Sequence, residues 1–491
     1  MPGDPPNTRF RLPSTFSVQP ELAADEGPAR GILIGQNAPG RATDGIYLGK
    51  HAEPPHKDVW MDIRGAHVLY VMGKRRSGKS YTLGAIAEAL VARGWIRQGE
   101  FDQAVLILDT MNVFLTFPYS VAETHPDASE TMQELNRWRI DLEQTPVTLF
   151  APAGTEMPAD VDHTVVTLRA SDLDAEEWCG LFEVDPFVDP MGHLMTSLHA
   201  KVALDGYRDK TNGQVFVPQE IFGVDELLAA LDRDTELDGF PQDTREALRR
   251  RLTAVARSSV FSQEGLDVRS LLRPGEISIL LLRDLDHEMR SVMVSLIVKR
   301  IMRLRANSEQ QERMIPVHLA RAERFESSDP AKADNERALA EECRKRAGQG
   351  LPRCWLIIDE AHNYVPSRLN VPSRKPLKKY VDEGRNLGLS IVVATQQPSG
   401  LDPSLQRNAD LLLIHALSHQ DDINAALGMI NTAYPDEIVV EGRQKFSGPR
   451  SFSALVRGLS VGYAIASSDR ANRLFPLKVR PRSTVHGGAD Y

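Results

Sequence analysis

The octet Gly73 to Ser80, GKRRSGKS, is the stretch of this sequence best suited to chemistry, because it satisfies the G-x-x-x-x-G-K-[ST] spacing of a phosphate-binding loop. Gly73 and Gly78 let the backbone turn and aim amide hydrogens inward, and a helix starting at the loop adds partial positive charge that favours a phosphate. Lys79 brings a full charge to the β and γ phosphates of ATP, and the Ser80 hydroxyl has the right length to ligate Mg²⁺. Arg76 and Ser77 inside the loop and Tyr81 just after it complete the expected nucleotide-binding set, with the role of Tyr81 left open.

A second element is WLIIDEAH, Trp355 to His362, where four apolar residues carry the chain through a sheet and deliver Asp359 and Glu360 to its carboxyl edge. Asp359 is placed to hold hydrated Mg²⁺ and Glu360 to polarise a water for in-line attack on the γ phosphate. His362 reads as a hydrogen-bonding structural group. A third element is the apolar run Ser390 to Ala394 leading into Thr395, Gln396 and Gln397, in which Gln396 either senses the γ phosphate or serves as a structural amide. Asp109, at the end of the Ala104 run, either reaches the site or caps the turn that follows.

These residues need a scaffold, and the spacing predicts one. Seven short apolar runs recur: Ala66 to Met72, Ala104 to Leu108, Val147 to Phe150, Ile277 to Leu282, Cys354 to Ile358, Ser390 to Ala394 and Leu411 to Ile414. None alternates strictly, as expected of parallel strands covered on both faces. Leu83, Ile86, Ala87, Leu90 and Val91 give the segment after Ser80 one apolar helical face, with Gly94 as its stop. Met289 to Leu304 forms a second long helix after the Ile277 run. The fold class expected is α/β, a P-loop NTPase with a RecA-like, mainly parallel sheet covered by helices, a helical insertion and a short N-terminal arm and β region. Its divisions fall at 1–60 for the arm and β region, 61–170 for the first part of the core, 171–260 for the insertion and 261–491 for the second part with the tail. The insertion opens on a capping-box pattern at Ser171 with Asp174, and the run Arg249 to Arg251 reads as a solvated face because successive helical residues diverge by about 100°. The segment Asn307 to Gly350, dense in both charge signs, is expected to be a surface excursion, partly helical or mobile. The first 30 residues carry six prolines and are read as an arm.

Composition narrows the classes further. Of 491 residues 42% are hydrophobic, and 58 Lys plus Arg against 67 Asp plus Glu leave a net charge of −9, so this is no histone-like polycation. Contact with nucleic acid must come from local patches or from subunits focusing charge into a channel. Three cysteines, Cys179, Cys343 and Cys354, fit neither a disulfide framework nor a zinc site, and a reducing cytoplasm is the expected compartment. No window reaches the roughly 18 apolar residues that span a bilayer, so no membrane association is expected.

The sequence resembles HerA-type ATPases of the HerA/FtsK branch of ring-forming motors. The resemblance rests on IYLGK (Ile46 to Lys50), GKRRSGKSYTLG, WLIIDEAHNYVP, the stretch GRNLGLSIVVATQQPSGLDPSL from Gly384 to Leu405, and a closing VRPRSTVHGG from Val479 to Gly488. It implies a homo-hexamer that hydrolyses ATP between subunits and moves double-stranded DNA through its pore. It also implies a partner: a nuclease in DNA-end processing, or a nuclease or NAD-consuming effector in antiviral defence. By the same resemblance Arg385 is the arginine that reaches a neighbour's nucleotide, with an interface salt bridge as the alternative. Such loops usually carry a glycine where Arg76 stands, and the roughly 70 residues before the loop are few for the β-barrel that some relatives carry there.

Arg368, Arg374, Lys375, Lys378 and Lys379 make a locally basic stretch in an acidic chain. In a ring they would supply many DNA phosphate contacts with a steep salt dependence and no base readout; the other reading is a solubilising loop paired with acids. The function expected is an ATP-hydrolysing DNA translocase or helicase serving an effector. The rivals are a nucleotide-dependent ring scaffold that holds and switches an effector without net movement, and a conjugation-type coupling ATPase.

Overall fold

All seven apolar runs form strands of one sheet. The computed structural model describes residues 10–11, 31–35, 45–52, 56–91, 103–140, 142, 145–430, 437–440, 444–447, 449–468 and 473–487. The expected proline-rich arm, apart from residues 10–11, and the Gly94 helix stop lie outside the described residues. In chain order the strands of the main sheet are β1 (Ile32–Ile34), β2 (Gly45–His51), β3 (Asp58–Asp62), β4 (Val68–Met72), β5 (Gln103–Asp109), β6 (Val147–Pro152), β7 (Thr164–Val166), β8 (Ile277–Leu281), β9 (Arg353–Ile358), β10 (Leu389–Thr395), β11 (Leu411–Ile414), β12 (Tyr463–Ser468) and β13 (Arg473–Val479). They lie side by side as β1-β3-β2-β13-β12-β11-β4-β10-β9-β5-β8-β6-β7.

From β11 to β7 every pairing is parallel. From β11 through β12, β13 and β2 to β3 the pairing is antiparallel. The short N-terminal strands therefore extend the main sheet, joined to it through β13, and IYLGK supplies most of β2. This is the expected α/β class, a mainly parallel sheet with both faces covered.

The parallel strands look continuously apolar because both faces are buried, and their side chains sort by period two. Val68, Tyr70 and Met72 of β4 join one core, while Leu69 and Val71 join the other. Leu106 and Leu108 of β5 and Leu356 and Ile358 of β9 share the first core with Trp178, Leu198, Leu227, Leu252 and Val292 from helices. The second core holds Leu83, Ile86 and Leu90 of helix α1 (Lys79–Val91) together with Ile46 and Leu477.

Residues 171–260 are mainly helical: α2 (Ala175–Leu181), α3 (Pro190–Ala200), α4 (Val224–Arg233) and α5 (Gln242–Ala256). The cap differs from the expected one. Asp174 is the N-cap of α2 and makes a capping box with Glu177, whereas Ser171 lies in a preceding 3₁₀ turn. Arg249 and Arg250 pair with Asp232 and Glu246 at the surface, but Arg251 leans over the Phe182 ring.

The segment Asn307 to Gly350 is helical almost throughout and belongs to a long hairpin. Helix α6 (His287–Phe325) has 39 residues, about 58 Å, and turns back into α7 (Pro330–Gly348). The two pack through small side chains, with Ala322, Ala333 and Ala340 buried and Glu336 held by His318 and Arg321.

Helix α1 is locked from behind by the end of the chain. Glu88, 2% exposed, receives Arg480 at 2.8 Å and Arg482 at 3.3 Å, and the backbone amides of Ser483 and Thr484 at 3.1 and 3.0 Å. Arg480 also donates to the Ala85 carbonyl. Both arginines are buried, so removing the acid strands two guanidinium charges in the core. Glu88→Ala is expected to lose about 3–5 kcal/mol of stability, read as a lower urea midpoint; an unchanged midpoint would show that water reaches the pair.

Candidate active site

The carboxyl ends of five neighbouring parallel strands converge. After β4 comes the loop Gly73 to Ser80, after β9 Asp359 and Glu360, after β10 Gln396, and after β11 His415; β5 ends on Asp109. The loop is tied to its neighbours by Gly73 N–H donating to the Thr395 carbonyl at 3.2 Å and Lys74 N–H to the Ala416 carbonyl at 2.7 Å. A Cβ at Gly73 would stand 2.7 Å from His415 Cβ, so only glycine admits that histidine. Gly78 sits at φ 101°, a conformation that side chains rarely adopt. Arg76 adopts φ 60°, which explains why glycine suits this position, and its backbone carries a penalty of about 1–2 kcal/mol in the left-handed region. Lys74, Arg75 and Arg76 are exposed, whereas Ser77 is buried.

Lys79 is buried, and its ammonium donates to the Lys74 carbonyl at 3.4 Å. Burial pulls its pKa below the usual lysine value, opposed by Glu360 and Asp359. Ser80 Oγ donates to Asp359 Oδ2 at 2.8 Å, so the two expected metal ligands meet across the sheet edge. Burial, and then the charge of Glu360, push the Asp359 pKa up, while Lys79 and the Ser80 hydroxyl pull it down. Among the described residues no three His, Cys, Asp or Glu side chains gather into a metal cage. One hydroxyl and one carboxylate fit Mg²⁺, a hard cation that keeps waters and takes its remaining oxygens from phosphates.

Glu360 stands at φ 51°, at the head of the 3₁₀ turn Ala361–Asn363, and is 7% exposed. Its Oε1 accepts from the Gln396 amide, and its Oε2 is buried with no hydrogen-bond partner. His362 Nδ1 lies 3.4 Å from that oxygen, but its hydrogen bond goes to Thr395 Oγ1 at 3.2 Å and burial lowers its pKa, so the pair is not an ion pair. One carboxylate oxygen is thus held and the other remains available to accept from a water, close to Lys79 and Asp359.

Asp109 resolves as a cap. Oδ1 accepts from the amides of Met111 and Val113, and Oδ2 from that of Phe114 at 2.8 Å, which occupies both oxygens. Burial pushes its pKa up to about 6. The Tyr81 side chain turns to the chain end: its hydroxyl accepts from Arg482 N–H at 2.8 Å and its ring meets His486 edge-on. The Tyr81 backbone lies in the first turn of α1, where amide donors lack helical partners.

His415 is a site residue that sequence reasoning missed. Nδ1 donates to the Tyr463 carbonyl at 2.8 Å, which leaves Nε2 to accept from Thr82 Oγ1 at 3.0 Å. Burial pushes its pKa down to about 4, so it braces the loop as a neutral ring. The only signal was a polar residue ending the Leu411 run, as Thr395 ends the run before Gln396.

Arg385 lies elsewhere. It sits in the turn Gly384–Leu387 ahead of β10, at the amino edge of the sheet, 3.9 Å from Asp410. Asp410 already accepts from Val68 N–H at 2.8 Å and contacts His67 Nδ1 at 2.9 Å. Of the basic stretch, Arg374 is bound to Asp402 at 2.7 Å, while Lys375 pairs with Glu176 and Lys379 with Glu383 at the surface. Arg368 and Lys378 are exposed. The three cysteines are unbridged, and no helix among the described residues is long and apolar enough to cross a membrane.

No family model matches the sequence, and no curated protein matches it. Among solved structures the chain is similar to VirB4 of Thermoanaerobacter pseudethanolicus, at 14% identity over 91% of this chain and 98% of that one, with a TM-score of 0.49. It is also similar to the bacterial conjugative coupling protein TrwBΔN70, at 12% identity over 92% and 97%, with a TM-score of 0.46. A third likeness is to the genome packaging NTPase B204 from Sulfolobus turreted icosahedral virus 2 in complex with AMP, at 9% identity over 84% and 97%, with a TM-score of 0.30.

Proposed function

We propose that the chain is an ATPase that assembles as a ring, a homo-hexamer, and translocates double-stranded DNA for an effector protein, a nuclease or an NAD-consuming enzyme, in antiviral defence or DNA-end processing. The observation that carries the hydrolytic part is Glu360, with one oxygen fixed by Gln396 and the other buried without a partner, beside Lys79 and the Ser80–Asp359 pair. In this reading Gly73, Arg76, Ser77, Gly78 and Tyr81 wrap the phosphates through backbone amides, and Lys79 neutralises the β and γ phosphates. Ser80 and Asp359 would hold Mg²⁺, which when bound would supply positive charge for the phosphate oxygens. Glu360 accepts a proton from the attacking water, Gln396 fixes the rotamer of Glu360, and Arg385 of a neighbouring subunit meets the charge that builds on the γ phosphate.

Translocation rests on the basic stretch, with Arg374 set aside because its guanidinium holds Asp402 inside the protein. Arg368, Lys375, Lys378 and Lys379 remain for DNA phosphates. The ion pairs of Lys375 and Lys379 favour the second reading, a ring scaffold that switches an effector without net movement. Mass measurement with an ATP analogue, together with ATPase and roadblock-displacement assays with and without duplex DNA, separates them. The motor reading expects a ring, DNA-stimulated turnover and displaced roadblocks. DNA-insensitive turnover with no displacement would select the scaffold, and a lone chain that never consumes ATP would exclude both.

A further inference from the structure

At the amino edge of the sheet lies a cavity of about 330 Å³ whose lining includes Arg64, Arg305, Arg313, Arg353 and Arg385. Four of these have carboxylates at hand: Arg64 has Asp62 at 2.6 Å, Arg305 has Glu312 at 2.6 Å, Arg313 has Glu309, and Arg385 has Asp410 more loosely at 3.9 Å. Arg353 differs. It is exposed, and among the described residues its guanidinium has no ion-pair or hydrogen-bond partner. Its side chain runs along Gly388, a Cβ on which would stand 3.1 Å from Arg353 Cγ, so it shares a rim with the turn that carries Arg385.

Arg353 also begins the strand that ends at Asp359. Six residue steps of extended chain separate the two by roughly 20 Å, several times the reach of one side chain. Neither Arg353 nor Arg385 can touch a nucleotide held by its own Lys79. Uncompensated guanidinium charge beside a cavity is a site for an anion, and planar guanidinium groups suit phosphate oxygens. In a head-to-tail ring the amino edge of one subunit faces the next, and a heterologous contact of this kind closes when the rotation does.

We infer that Arg353 is a second trans cation: together with Arg385 it binds the triphosphate of the neighbouring copy of this chain, so each nucleotide site is incomplete without the cavity of the adjoining subunit. This rests on the proposed reading of Arg385 and extends it to a residue at the head of a different strand. Arg353 carries the stronger expectation of a ligand, since Arg385 retains an acid of its own.

The test uses full-length chains and a fluorescent ATP analogue. Arg353 is exposed, so Arg353→Ala should fold and assemble as the native chain does. It should still bind the analogue at Lys79, more weakly than the native ring does, while turnover without DNA falls about 10²-fold. Mixing Arg353→Ala with Lys79→Ala chains should restore turnover, because about a quarter of random head-to-tail interfaces then join an intact loop to an intact Arg353. Native turnover by Arg353→Ala alone overturns the inference, as does a loss confined to DNA-stimulated turnover, which would assign the residue to DNA. Rescue of Lys79→Ala by Arg385→Ala chains but not by Arg353→Ala chains overturns the role of Arg353 and leaves the trans reading standing. Rescue by neither overturns both.

Discussion

Glu360→Gln chains should hold ATP as tightly as the native protein and turn it over about 10²- to 10⁴-fold more slowly. The substitution nearly preserves shape. The amide oxygen of the new side chain can still accept from Gln396, so that contact survives. The other end changes from an acceptor to a donor at the position of Oε2, the buried oxygen with no partner. A water there can no longer pass its proton to the side chain. The measurement pairs equilibrium binding of a fluorescent ATP analogue with single-turnover phosphate release. A loss of less than tenfold would move the base to another group. Binding that weakened in step with turnover would mean that Glu360 supports the loop instead.

Arg385→Ala should lower turnover by about 10³- to 10⁵-fold, the range of arginine fingers in related phosphoryl transfers. Its structural role is small by comparison. Asp410 is satisfied by Val68 N–H and His67 without it, and a part-exposed pair 3.9 Å apart is worth about 0–1 kcal/mol. Stability and catalysis should therefore separate: the urea midpoint stays near native while steady-state phosphate release collapses. A midpoint that dropped sharply, with turnover per folded chain preserved, would make Arg385 a strut of the amino edge.

The parts of the fold that were legible in the sequence are those where burial on two faces forces a continuous apolar run. The strand missed in the parallel half is β7, three residues at the sheet edge with two exposed, too short and too wet to leave such a mark. The long hairpin was obscured for a different reason: its two helices approach through Ala322, Ala333 and Ala340, and alanine leaves little hydrophobic periodicity among so many charges. In the site, the loop and the acidic pair stood out because their spacing is dictated by phosphate and metal chemistry. His415 did not, and neither did Arg353 at the opposite edge of the sheet. Each is a lone polar residue at one end of a strand, and its place depends on which strands lie side by side, which local spacing does not encode. The ion pair of Arg374 with Asp402 was hidden for the same reason, since the two come together only in the folded chain.

The bond between Glu88 and Arg480 spans 392 residues. At ribosomal rates of about 5–20 residues per second, the helix behind the phosphate loop waits about 20 to 80 s after its own synthesis for its counter-charge. Until then a buried-to-be carboxylate has only solvent for company, and the segment that follows the loop has no fixed backing. In the proposed reading competence is thus timed to the synthesis of the segment around Arg480, and a nascent chain stalled before residue 480 should remain inert toward ATP.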